Sequence, residues 1–127
     1  MGVVSLLTDV KCARVALLAL SILAASPAAF ADARSDARAQ VEFGIAVARK
    51  GLWREAIFRF EKAIQLDPEY AAAYNNLAIG YEHEGQFEKA REAYEKALAL
   101  DPKNTFIVQN FDFFKELNDR ANRPPGR

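Results

Sequence analysis

The ten residues EKAIQLDPEY at 61–70 return 34 positions later as EKALALDPKN at 95–104, with six letters identical in register. A fixed period of this length marks a stacked architecture, in which one unit cannot bury its own apolar face and its neighbour completes the burial. The agreement extends well beyond the phrase. With 37–70 set over 71–104, Gly51 lies over Gly85, Trp53 over Phe87, Ala56 over Ala90, Phe60 over Tyr94, Ala63 over Ala97 and Pro68 over Pro102. Upstream, Phe43 lies over Leu77, Gly44 over Ala78 and Val47 over Tyr81. Each pair keeps its size and polarity class.

Within a unit the apolar period is helical. Phe87, Ala90, Tyr94, Ala97 and Leu98 recur at spacings of three and four and share one face. The opposite face carries Glu88, Lys89, Glu92, Glu95 and Lys96, with Glu92–Lys96 and, in the first unit, Glu55–Arg59 placed to pair one turn apart. Gly51 and Gly85 interrupt each unit where the chain must reverse. The LDP triplets end each second helix, because proline pushes the residue before it out of the α conformation. Each unit therefore reads as helix, turn, antiparallel helix, turn, and the fold as all-α. Small residues (Gly44, Ala56, Ala63, Ala78, Ala90, Ala97) let helix axes approach, while Trp53, Phe60, Tyr81, Phe87 and Tyr94 are expected to fill the gaps. A charged side chain at Ala56 or Ala90 is expected to cost several kcal/mol through overpacking and charge burial.

These residues resemble the tetratricopeptide repeat. The second unit carries the pattern as Tyr74, Leu77, Ala78, Tyr81, Gly85, Ala90, Tyr94, Ala97 and Pro102. The first keeps Phe43, Gly44, Ala56, Phe60, Ala63 and Pro68, but has Gln40 where an aromatic is usual and Val47 where a tyrosine is common. The resemblance implies a right-handed α-solenoid of antiparallel helix pairs, with one repeat at 37–70 and a second at 71–104.

A further helix is expected at 105–119, with Asn104 or Thr105 as its N-cap. In the same register Val108, Phe111 and Lys115 fall under Tyr74, Leu77 and Tyr81, so a third unit is begun and this helix caps the second. The segment 120–127, RANRPPGR, has the composition of a frayed tail. Ile107, Phe111 and Phe114 share one direction on the cap, and Phe106, Phe113 and Leu117 cluster away from it. That apolar arc is wider than a single contact needs, whereas a terminal cap normally turns a polar face outward. Phe106, Phe113 and Leu117 are therefore candidates to meet a second copy of the chain or a partner protein.

Residues 1–31 have a different character. Lys11 and Arg14 precede the apolar run VALLALSILAA at 15–25, and Ala29 and Ala31 stand in an A-x-A arrangement before Asp32. This is the pattern of a secretory signal peptide cleaved after Ala31, with a run shorter than the roughly 20 apolar residues a membrane span requires. The expected location is outside the cytoplasm, periplasmic in a bacterium and otherwise secreted; an uncleaved N-terminal membrane anchor is the alternative. Cleavage would remove Cys12, the single cysteine, and with it any thiol chemistry. No stable membrane span is expected in what remains.

For function, the resemblance implies a concave groove lined by the first helices of successive units. The groove candidates are Arg38, Val41, Glu42, Ile45, Ala48 and Arg49 from the first unit and Asn75, Asn76, Ile79, Glu82 and His83 from the second. Asn76 stands where the family often binds the backbone of an extended peptide, since an amide both donates and accepts. Some members grip the C-terminal carboxylate of chaperones with basic and amide side chains. Here those places hold Val41, Ile45, Phe106 and Asn110, and only Asn76 survives, so that ligand is not expected.

Catalysis has little support in the sequence. His83 is the only histidine, and its neighbours Glu82 and Glu84 do not face it on a helix. HExxH, paired cysteines, a phosphate loop and G-x-S-x-G are all missing, so neither cofactor nor metal is expected. Asp67 and Asp101 read as turn residues. The 17 basic and 17 acidic residues cancel, which leaves no electrostatic footprint for nucleic acid. The reading is a non-enzymatic scaffold binding an unidentified peptide or protein in its groove. The alternative is an assembly subunit or homo-oligomer docking through the Phe-rich helix.

Overall fold

Gly51 and Gly85 take φ values of 77° and 72°, a left-handed backbone that glycine enters without strain. At the first, Gly51 N–H donates to Ala48 O and Leu52 N–H to Val47 O at 2.8 and 3.1 Å; at the second, Gly85 and Gln86 donate to Glu82 O and Tyr81 O at 3.0 and 2.8 Å. Both are Schellman closures, which satisfy the last carbonyls of a helix while reversing the chain. Five helices result in the computed structural model, which describes residues 26–123: α1 (Pro27–Ala48), α2 (Trp53–Leu66), α3 (Ala71–His83), α4 (Phe87–Leu100) and α5 (Thr105–Ala121). The run at 15–25, Cys12 and the last residues of the 120–127 segment lie outside the described residues. No strand occurs among those described.

Helices α1 and α2 form one antiparallel pair and α3 and α4 a second; α3 packs on α2, and α5 on α4 and α3. This is an α-solenoid. Its second helices end as the LDP triplets dictate, with Asp67 and Asp101 out of the helical conformation at φ −141° and −143°. Asp67 Oδ1 accepts from Glu69 N–H at 3.0 Å, and Asp101 Oδ2 accepts from the Asn104 side chain at 2.9 Å, so both aspartates serve turns. Asn104 caps α5 by accepting from Phe106 N–H and Ile107 N–H at 3.2 and 3.4 Å.

Close approach between helices depends on the missing side chains. A Cβ on Gly44 would stand 2.4 Å from Phe60, and one on Gly80 would stand 2.8 Å from Ile57. Phe60 is thereby clasped between α1 and α3. Ala56, Ala63, Ala78, Ala90 and Ala97 are all fully buried, and a core of this kind tolerates little added volume.

The structure extends the sequence reading and departs from it in places. Helix α1 starts ten residues before the first unit. Its extension is anchored by Arg34, which pairs with Asp67 and lies 5.0 Å from the Tyr70 ring. Glu55 and Arg59 pair at 2.8 Å, but Lys96 lies over the Tyr74 ring at 6.0 Å instead of meeting Glu92. Phe87 does not fill an interior gap; it is 50 % exposed, for a reason that the groove supplies. Gln40, in the place of an aromatic, has a buried side-chain oxygen with no hydrogen-bond partner. No helix of the described residues is long and apolar enough to cross a membrane.

Candidate functional site

Because α1, α3 and α5 are successive first helices, residues spaced by 34 recur along one side of the stack. Ile45, Ala48 and Arg49 from α1 and Asn76 and Ile79 from α3 line a first cavity of about 390 Å3, with Trp53 and Phe60 completing it. Adding 34 to most of these positions gives a second. Ile79, Glu82, Tyr94, Gln109, Asn110 and Phe113 line a cavity of about 350 Å3 between α3 and α5. Ile79 belongs to both cells, and Ile45, Ile79 and Phe113 form an apolar ladder across the three helices.

Among the differences between the two cells is one coupled exchange. Ala48 and Phe60 in the first become Glu82 and Tyr94 in the second. The phenol of Tyr94 is buried and needs an acceptor; it donates to the Glu82 carboxylate. Burial first, and then this hydrogen bond and the negative charge of Glu82, push the Tyr94 phenol well above its ordinary range. On the opposite side of the pair, Tyr81 donates to Glu61 at 3.0 Å and is pushed up to about 12, mainly by burial. These tyrosines are held protonated and act as packing and hydrogen-bonding groups.

A third cavity of about 500 Å3 follows, lined by Glu82, His83, Phe87, Phe113, Phe114, Leu117, Asn118 and Ala121. Its origin is a failed equivalence. In the first unit Trp53 is covered by His83, the rings stacked at 3.6 Å and 5°. Phe87 is the equivalent of Trp53, and Leu117 that of His83. Phe114 stands where Gly80 admits close contact, however, and α5 packs less tightly on α4 than α3 does on α2. The space so opened leaves Phe87 half in solvent.

The groove residues expected from sequence fall into three groups. Ile45, Ala48, Arg49, Asn76, Ile79, Glu82 and His83 line the cavities. Arg38 and Glu42 are exposed on α1 and line none of these three cavities. Val41 and Asn75 are corrected: both are buried, Val41 in the core and Asn75 accepting from Asn110 Nδ2 at 3.1 Å. Asn75 thus ties α3 to α5. Asn76 donates to Ala72 O at 2.8 Å within its own helix, which orients its carbonyl oxygen as an acceptor in the first cell.

Phe106, Phe113 and Leu117 are exposed, at 76 %, 65 % and 48 %. They are the third-unit equivalents of Arg38, Ile45 and Arg49; Phe113 and Leu117 line cavities of the groove, and Phe106, like Arg38, lines none of the three, so the stripe starts at the groove and runs beyond it. Trp53, Phe87, Gln109, Asn110 and Asn118 also line the groove and were not singled out as groove residues, although extending the 34-residue register from Asn76 into α5 identifies Asn110. Among the described residues no three His, Cys, Asp or Glu side chains converge as a metal site would require.

Helix pairs stacked with these closures define the class of fold, an α-solenoid. Residues 71–104 match the sequence model of the family described as tetratricopeptide repeat. The fold is similar to that of the Sgt2 TPR domain from Aspergillus fumigatus, with a TM-score of 0.65 and 22 % sequence identity, over 72 % of this chain and 64 % of that one. The chain thus spans somewhat under two thirds of that domain. A comparison with curated proteins gave no match.

Proposed function

We propose that the protein is a non-enzymatic scaffold that holds a peptide or an exposed segment of another protein in the groove. The observation that carries this reading is the ladder Ile45–Ile79–Phe113, an apolar strip with a cavity on either side of its middle rung and polar groups (Arg49, Asn76, Glu82, Gln109) beside it. Such a mixture of apolar surface and a few convergent polar groups is what recognition sites use. Neighbouring helices lie roughly 8–10 Å apart, and a polyproline II chain advances about 3.1 Å per residue and returns to the same face every third residue. The ligand that fits is an extended, polyproline II-like segment with apolar side chains three residues apart, its backbone met by Asn76.

The location that goes with this function is the cell envelope, periplasmic in a bacterium, on the strength of the charged, apolar and small-residue pattern at 1–31. The test uses a partner captured from the exported fraction, whose affinity is then measured by calorimetry. Ile79→Asp, which alters both cells at once, should weaken binding at least tenfold with the far-UV circular dichroism unchanged. Undiminished binding to that variant would remove the groove from the mechanism.

A further inference from the structure

We infer that the Phe-rich stripe of α5 is a self-association surface whose occupant is the same stripe of a second copy. Phe106, Phe113 and Leu117 point within about 20° of one direction at 3.6 residues per turn and span about 16 Å of helix. Phe87 adds a half-exposed ring across the cavity. With 150–250 Å2 for a whole aromatic side chain, the four expose roughly 500 Å2. A stable interface takes about 800 Å2 from each partner, and about 65 % of it is apolar in homodimers. The stripe therefore matches the apolar share of one dimer half.

Charge points to a like partner. The ionic groups beside the stripe, Glu116 and Arg120, are already paired within α5, and Asp112 and Lys115 pair at 2.8 Å on the other side of the helix. The whole chain has formal net charge +0. Two copies meet without repulsion, and a strongly charged partner finds no complement. The geometry is also self-complementary: with two α5 helices antiparallel about a two-fold axis, each Phe106 lies against the other copy's Leu117. The two Phe113 rings flank the axis beside the cavities. This is the isologous arrangement expected of a two-fold dimer.

The alternative use of this apolar face, to receive the second helix of its own unit, is disfavoured by position. The residues that would meet such a helix are Asp112 and Lys115, where the earlier units have Gly44 and Ala78, and Val47 and Tyr81.

Sedimentation equilibrium on the full chain tests the inference without reference to any ligand. The wild type should form a dimer at roughly 100 µM, a modest affinity by the usual conversion. Phe106→Asp with Leu117→Asp changes only exposed positions outside the two groove cells and sets like charges against each other across the two-fold axis; it should raise the dissociation constant at least thirtyfold with an unchanged melting curve. Ile45→Asp disables the first cell and should leave the dimer intact. A wild type that stays monomeric, a dimer that survives the double substitution, or one lost on Ile45→Asp would overturn the inference. A groove ligand bound by a strictly monomeric protein would leave the functional proposal standing alone.

Discussion

The two ends of the stack face the same problem and are finished differently. On α1 the outward residues Ala39, Phe43 and Ala46 are exposed, whereas their equivalents Ala73, Leu77 and Gly80 on α3, and Ile107, Phe111 and Phe114 on α5, are buried against the preceding second helix. The open rings at this end are met by charge: Arg59, pinned by Glu55, lies 4.5 Å from the Phe43 ring and 5.4 Å from Phe58. At the other end Arg91 and Lys115 lie over Phe114 and Phe111 at 5.6 and 4.8 Å, rings that are already buried. Phe106, Phe113 and Leu117 remain open. Cations thus dress the ends of the array, while the stripe on α5 keeps its apolar surface.

The largest effect that could break this contrast comes from a pair of equivalent positions. Gly80→Leu drives a side chain into Ile57 and should cost about 3 kcal/mol, read as a large fall in melting temperature. Ala46→Leu places the same side chain on the open face of α1 and should change stability by less than about 0.5 kcal/mol. Equal costs would mean that the α1 face is covered in solution. Next in size, Arg59→Ala uncovers Phe43 and Phe58 and should cost about 1 kcal/mol, measurable by urea denaturation. If the loss is absent, the guanidinium is an onlooker and the N-terminal end is as open as the C-terminal one.

The smallest effect at neutral pH separates the two groove cells. The ordinary value for the Tyr94 phenol is 10.0, and in the folded chain it lies well above that. Above about pH 10 the unfolded chain has released a proton that the folded chain retains, so stability falls as pH rises; below that pH the contribution is fully present. Tyr94→Phe, which rewrites the second cell with the ring of the first, should flatten the decline between pH 10 and 12 in thermal melts. Tyr81, pushed up to about 12, and Tyr74, also raised chiefly by burial, contribute to the remaining slope.

Much of this was legible in the residues. The 34-residue period placed four helices, the left-handed glycines and the LDP stops, because each is decided by neighbours a few positions away. The periodicity of α5 likewise separated buried Ile107, Phe111 and Phe114 from exposed Phe106, Phe113 and Leu117. What the sequence could not determine was which faces find a neighbour. Phe87 and Trp53 are equivalent by every local rule, yet only Trp53 is covered, since His83 can stack on it and Phe114 holds α5 off α4. Asn75 looked like a groove residue until Asn110, 35 positions on, claimed its carbonyl across two helices. Covering a side chain takes two surfaces brought together, and a repeat specifies its own surface while leaving the partner to the packing of the whole.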